Sequence, residues 1–234
     1  LPGSTYKPFM ALAALQLNKR SPTLVVNDPG YYNFGGRTFR SHEGGLGGVD
    51  MVRAIQFSSN TYFYSLGVEM GVDAIHDFMA PLGFGQITGI DLRGEVRGVL
   101  PSTEWKRKTY KRPEQRKWYA GETISLGIGQ GYNNFTMLQL AHATATLANG
   151  GTRYKPHVLL GTQDVVSQTE TPAKVGPGES LGYKPAHVAT VLNAMEGVAT
   201  EGTGAKVFAG APYRSGGKTG TAQAVTIGQK DKYN

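Results

Sequence analysis

No periodic stretch of this sequence runs far before a glycine or proline interrupts it, and that punctuation limits the fold more than any other feature. With 33 glycines and 12 prolines among 234 residues, the chain has too many turn points for a helical bundle and reads as a mixed architecture of short elements. Tyr6, Phe9, Met10, Ala13 and Leu17 recur at helical spacing and predict an amphipathic helix with Ser4 at its N-terminal edge. Residues 27–48, with NDPGYY, NFGG and EGGLGG, predict loops and short hairpins with aromatic anchors. Short helices are expected over 49–55, 62–70 and 72–82, the last stopping at Gly83, and TGIDL at 88–92 is turn-like. Thr136 and Gln139 have capping-box spacing before a helix whose buried face is Leu140, Thr144, Leu147 and Ala148, ended by Gly150 and Gly151. Pro185 starts a further helix with Val188, Val191, Leu192 and Met195 as its stripe. Residues 211–227, APYRSGGKTGTAQAVTI, read as a strand. No internal repeat or low-complexity tract divides the chain, so a single domain over 1–234, incomplete at both ends, is expected.

A formal charge of +7 points to an anionic partner. Its main source is the stretch 105–118, WKRKTYKRPEQRKW, with seven Lys or Arg in fourteen residues; it reads as a solvated, mobile loop near an acidic membrane or glycan surface, and no nucleic-acid fold motif accompanies it. The absence of cysteine excludes disulfides and thiolate metal sites. Histidines 42, 76, 142, 157 and 187 have no metal-ligand spacing, so no metal is expected and His76 and His142 are read as structural. No stretch approaches the roughly 18 apolar residues of a membrane span. A chain that opens at Leu1 directly before a helical pattern suggests an excerpt of something longer.

Three short motifs carry the chemistry. Ser4 and Lys7 stand at i and i+3, close enough for the amine to act on the hydroxyl as a base. Alone, the pair reads better as an N-cap beside a surface lysine. Ser58, Ser59 and Asn60 follow between two helical patterns, where a hydroxyl can relay protons and an amide can hold a carbonyl, or where a plain helix cap and loop would also fit. Lys218, Thr219, Gly220 and Thr221 can bind a carboxylate, with glycine admitting a substrate backbone. The run Gly127–Ile–Gly129–Gln–Gly131 lacks the ending of a phosphate loop and reads as a turn.

In this order the three motifs resemble the signature Ser-x-x-Lys, Ser-Asp-Asn and Lys-Thr-Gly of penicillin-interacting serine acyltransferases, with Ser-Ser-Asn in the middle place. TGIDL at 88–92, LPSTEWK at 100–106, GETISLGIGQGYNNFTMLQLA at 121–141 and GKTGTAQ at 217–223 resemble more narrowly the class B, elongation-specific penicillin-binding protein 2 family of Gram-negative bacteria. The resemblance implies an α+β transpeptidase fold, an antiparallel sheet flanked by helices, here without its first and last strands. It implies a peptidoglycan D,D-transpeptidase in which Ser4 attacks the penultimate D-alanine carbonyl of a stem peptide and passes the acyl group to an amine of a neighbouring stem. β-Lactams would acylate the same serine. Lys7 would be the base, Ser58 the proton relay and Asn60 the amide that orients the substrate. Lys218, Thr219, Gly220 and Thr221 would hold the terminal carboxylate, and the N–H groups of Ser4 and Thr221 would form the oxyanion hole. The implied partners are D-Ala-D-Ala stem peptides, β-lactams and a membrane glycan polymerase, with the protein on the periplasmic face of the inner membrane behind an N-terminal anchor outside this sequence. Some family members bind a metal through Asp, His and Cys at the middle motif; with Ser59 there and no cysteine, no zinc or other cofactor is expected. The alternatives are a serine β-lactamase, for which Glu95 and Glu122 are the acidic candidates by position, and a non-catalytic penicillin-binding sensor.

Overall fold

The structure, a computed structural model, describes residues 1–41 and 44–222. Gly3–Tyr6 forms one 3₁₀ turn that runs directly into α1 (Lys7–Gln16), with Pro8 in the first helical turn, where its missing N–H costs nothing. The helix differs from the expected amphipathic one: every residue from Lys7 to Leu15 is buried. Ala11 and Ala14 fall on the faces that the apolar spacing left over, and their small side chains let neighbours close in there as well. A helix covered on all sides is a core helix. Leu17, expected in the stripe, lies exposed past its end.

The turn-rich region forms two small antiparallel ladders. β1 (Val26–Asp28) pairs with β4 (Gly47–Val49), while β2 (Tyr31–Phe34) and β3 (Arg37–Arg40) make a hairpin. Its two-residue turn is Gly35-Gly36, both at positive φ, as a tight hairpin with the native twist requires. α2 (Met51–Gln56) follows, capped by the Asp50 side chain, which accepts from Arg53 N–H at 2.9 Å. Next come α3 (Asn60–Met70) and α4 (Val72–Met79), and a 3₁₀ turn after α4 closes at Gly83 in the left-handed conformation.

The basic stretch is not a mobile loop. It folds as α5 (Thr103–Thr109), capped by Ser102, and α6 (Pro113–Arg116), and leads into α7 (Ala120–Leu126). Its aromatic residues organise it: the rings of Trp105, Tyr110 and Trp118 all meet that of Tyr132, with centroids 5.2–6.4 Å apart. α8 (Met137–Ala148) has the predicted capping box, with Gln139 N–H donating to Thr136 Oγ1 at 3.1 Å and Thr136 N–H to Gln139 Oε1 at 3.2 Å. Its buried face is Gln139, Ala143, Thr146 and Leu147; Thr144 and Ala148, assigned to the core from sequence, point to solvent. β5 (Thr152–Arg153) pairs with β8 (Glu179–Ser180), and β6 (Gly161–Gln163) with β7 (Glu170–Pro172). α9 (Pro185–Thr200) begins at its proline as predicted, and α10 (Ala205–Phe208) follows.

The fold class is therefore helices with small antiparallel sheets, and among the described residues the strands form four separate two-stranded ladders. α1 is the central element, packed against α2, α3, α4 and α9. Tyr6, Phe9, Phe84 and Phe135 stack beside it with centroids 4.7–6.5 Å apart. Fully burying a side chain of this size contributes about 1.5–3 kcal/mol, so the first turn of α1 is anchored in the densest part of the core. Residues 211–222 form no strand; Gly217 N–H donates once, to Met195 O of α9 at 3.0 Å, and the rest of the predicted strand, 223–227, lies outside the described residues. No helix among the described residues is long and apolar enough to cross a membrane.

Candidate active site

Ser4 sits half-buried in the 3₁₀ turn, and its carbonyl accepts the N–H of Lys7. It is not a helix cap: the residue at that position of α1 is Tyr6. Nor is Lys7 a surface residue, for it is fully buried. Its ammonium donates to Ser58 O at 2.6 Å, Ser58 Oγ at 3.1 Å and Asn60 Oδ1 at 2.7 Å, and stands 5.6 Å from the Phe63 ring centroid. The first and second motifs, 54 positions apart, thus meet on one amine.

The local fold of the middle motif explains how. Ser59 is the N-cap of α3, accepting from Tyr62 N–H at 3.1 Å, and it also donates to Asp28 Oδ2 at 2.5 Å. Asp28 Oδ1 in turn accepts from Gly30 N–H at 2.8 Å. Ser59 is therefore pinned to β1, while its neighbours Ser58 and Asn60 both meet Lys7. Ser58 adopts φ +60°, a left-handed conformation costing a non-glycine residue roughly 1–2 kcal/mol. That turn aims its carbonyl and hydroxyl together at Lys7. The capping reading holds for Ser59, while Ser58 and Asn60, the residues of the catalytic reading, both meet Lys7. Asn60 spends its carbonyl oxygen on Lys7, which leaves its amide N–H groups for a ligand.

The third motif lies along the turn that holds Ser4. A Cβ on Gly3, which has φ +58°, would come within 2.5 Å of Thr221 O, and one on Gly220 within 2.6 Å of Thr5 Cγ2. Lys218 Nζ donates to Thr219 O at 3.0 Å, and the hydroxyls of Thr219 and Thr203 are 2.7 Å apart. Gln130 Nε2 donates to Thr221 O at 3.4 Å. The glycine run backs the same turn: Gly3 N–H donates to Gly129 O at 3.0 Å, and a Cβ on Gly129 would meet Gly3 O at 2.1 Å. Glycine serves there for close backbone packing.

Sequence reasoning missed the role of Lys106. Counted among solvated charges, it is 4% exposed and donates to both oxygens of Glu122, at 2.5 and 2.6 Å. The rings of Trp118, Tyr119 and Tyr132 surround it with centroids 5.4–5.7 Å from Nζ. The aromatic residues interleaved in the basic run were the available signal. Burial pushes the Glu122 carboxyl up, but hydrogen bonds from Lys106, Tyr119 N–H and Tyr132, with the lysine charge, hold it below the usual carboxylate range. Glu95 accepts from Thr88 N–H, Thr88 Oγ1 and Gly89 N–H at 2.7–2.8 Å and closes the TGIDL loop. Both acidic candidates for positioning a lactamase's water thus bond within the fold, Glu95 to its own loop and Glu122 to Lys106. His142 Nε2 bonds Tyr154 O at 2.7 Å, a structural contact, and His42 lies outside the described residues.

The family model for the penicillin-binding protein transpeptidase domain matches residues 1–234. The peptidoglycan D,D-transpeptidase MrdA of Haemophilus influenzae is 40% identical over 237 aligned positions, which cover 100% of this chain and 36% of that protein. The crystal structure of Pseudomonas aeruginosa penicillin-binding protein 2 in complex with WCK 5153 superposes with a TM-score of 0.81 at 41% identity, over 95% of this chain and 50% of that one. A structure described as the coordination of polymerization and crosslinking by a peptidoglycan synthase complex gives 0.80 at 30% identity, over 94% of this chain and 36% of the other. The chain thus spans about a third of the length of the curated relative it matches. With the motif order, the convergence on Lys7 and similarity along its whole length, the chain belongs to the penicillin-binding protein transpeptidase domain family.

Proposed function

We propose that this chain is the catalytic part of a peptidoglycan D,D-transpeptidase, forming one partial domain over 1–234, with Ser4 as nucleophile. The observation that carries the reading is the buried Lys7 amine, one turn from Ser4, with Ser58 and Asn60 gathered on it. A neutral amine has two N–H donors and one lone pair. Of the acceptors named above, Ser58 O and the Asn60 carbonyl can only accept, whereas the Ser58 hydroxyl can also donate. With Lys7 neutral, its two N–H groups stay on Ser58 O and the Asn60 carbonyl and its lone pair accepts the Ser4 proton; the ammonium so formed passes a proton through the Ser58 hydroxyl to the leaving amine of the terminal D-alanine and is neutral again. Attack by Ser4 Oγ on the penultimate D-alanine carbonyl expels the terminal D-alanine and leaves an acyl-serine. An amine of a second stem then takes the acyl group, forming the C–N bond as the ester C–O bond breaks. The Ser4 and Thr221 N–H groups stabilise the oxyanion, and Lys218, Thr219, Gly220 and Thr221 form the carboxylate seat.

The proposal extends to the whole protein: an N-terminal anchor on the periplasmic face of the inner membrane, and a glycan polymerase as partner, supported by similarity to a complex that couples polymerization to crosslinking. The test is mass spectrometry of the full-length protein with benzylpenicillin. A covalent adduct mapped to Ser4, absent in Ser4→Ala, is expected; a folded protein without it overturns the reading, and rapid turnover of the drug favours a lactamase.

A further inference from the structure

The cleft between the β2–β3 hairpin and α7 has a volume of 680 Å³, within the range that encloses a small ligand. Phe34, Arg37 and Phe39 form one wall; Tyr119, Glu122 and Tyr132 form the other. Its one carboxylate is already matched, since Glu122 accepts from Lys106 and, at 3.0 Å, from Tyr132 Oη. Its cations are not. The Arg37 guanidinium lies 5.3 Å from the Phe39 ring centroid, and Lys117 Nζ, outside the lining, 5.5 Å from that of the lining Tyr119; among the described residues neither forms an ion pair. The unmatched charge of the cleft is positive, over aromatic surface, which suits a chain bearing a carboxylate.

The floor connects this cleft to the reaction. Ser125 and Gly131 line it, and the same loop presses Gly129 on Gly3 and extends Gln130 to Thr221 O. A ligand lying here rests on the loop that backs Ser4. The carboxylate seat proposed for the donor stem is on residues 218–221, so this cleft is free for the second substrate.

We propose that it seats the acceptor stem peptide, with Arg37 taking a carboxylate of that stem and Phe39 and Tyr119 flanking its backbone, so that its side-chain amine is directed to the acyl-Ser4 carbonyl. This rests on the transpeptidase reading and adds the site of its second substrate. Transfer is balanced: the amine nitrogen bonds the acyl carbon, Ser4 Oγ leaves, and the amine proton returns to Ser4 through Lys7.

The experiment uses the full-length protein and a synthetic stem tripeptide with a free side-chain amine and a terminal carboxylate. Binding is measured by calorimetry on the unmodified protein and on the benzylpenicillin adduct. Arg37→Ala is expected to weaken binding about tenfold, Arg37→Lys to restore part of it, and Lys108→Ala, on the exposed face of α5, to leave it unchanged, all at the parent's melting temperature. Equal affinity in Arg37→Ala and the parent overturns the proposal, as does an absence of saturable binding to the parent. Failure of the underlying reading shows separately, as a parent without the Ser4 adduct, while binding to the unmodified protein still reports on the cleft.

Discussion

Gly3 and Gly129 meet backbone to backbone: the amide of one donates to the carbonyl of the other at 3.0 Å, and a side chain on Gly129 would fall 2.1 Å from Gly3 O. Gly129→Ala must therefore move the turn that holds Ser4, beyond the strain of its own φ of +72°. We expect a loss of about 1–3 kcal/mol and penicillin acylation slowed at least about tenfold. Gly150→Ala has a similar φ, +69°, and open space around it, so it should show the stability loss alone. Urea unfolding and stopped-flow acylation of the two variants separate strain from displacement.

Ser58 combines a left-handed backbone with the proposed relay hydroxyl. Ser58→Gly relieves the left-handed backbone and Ser58→Ala does not, while both remove the hydroxyl. The glycine variant should be about 1 kcal/mol more stable than the alanine variant, with acylation depressed about 10²–10⁴-fold in both. Equal stabilities would mean that the turn carries no strain.

Ser59→Ala leaves the Tyr62 N–H without its cap and Asp28 without its buried donor. The cost should be about 1–3 kcal/mol. Because Ser58 and Asn60 flank it, acylation should slow as well, whereas Asp50→Ala, which uncaps α2, should lower the melting temperature without slowing acylation.

Breaking the Lys106–Glu122 pair from one side strands a charge among aromatic rings. Lys106→Met should cost about 3–5 kcal/mol, and joining it to Glu122→Leu should recover most of that. Chemical denaturation of the two single variants and the double reads the coupling.

The same pair sets an acid limit. The Glu122 carboxyl is held below its unfolded value, so its contribution is complete above the unfolded carboxylate pKa and is lost as pH falls through the folded one. Glu122→Gln should flatten the acid side of the stability profile while lowering the neutral plateau, as measured by melting temperature against pH.

What could be read in advance followed from local chemistry. The capping box at Thr136, the proline start of α9 and the glycine stop at Gly83 each depend on a few adjacent residues. The three motifs were legible because order and residue type survive without geometry. The buried circumference of α1 was not, since alanine satisfies a core face and a solvent face equally well. Lys106 was misjudged for a related reason: its acid partner lies 16 residues away, and composition counts a charge without showing what neutralises it. The strained turn at Ser58 had no sequence signal, serine being an ordinary loop residue until the fold forces its φ.

The burial of α1 on every side makes the helix a fixed post. It cannot rotate or slide without unpacking α2, α3, α4 and α9 together, so Ser4 and Lys7 keep one spacing whatever ligand arrives. In the proposed transpeptidase, accommodation to substrates of different shape then falls to the surrounding surfaces, the β2–β3 hairpin on one flank and residues 218–222 on the other. Variation that broadens or narrows ligand choice should accumulate on those flanks, with the post unchanged.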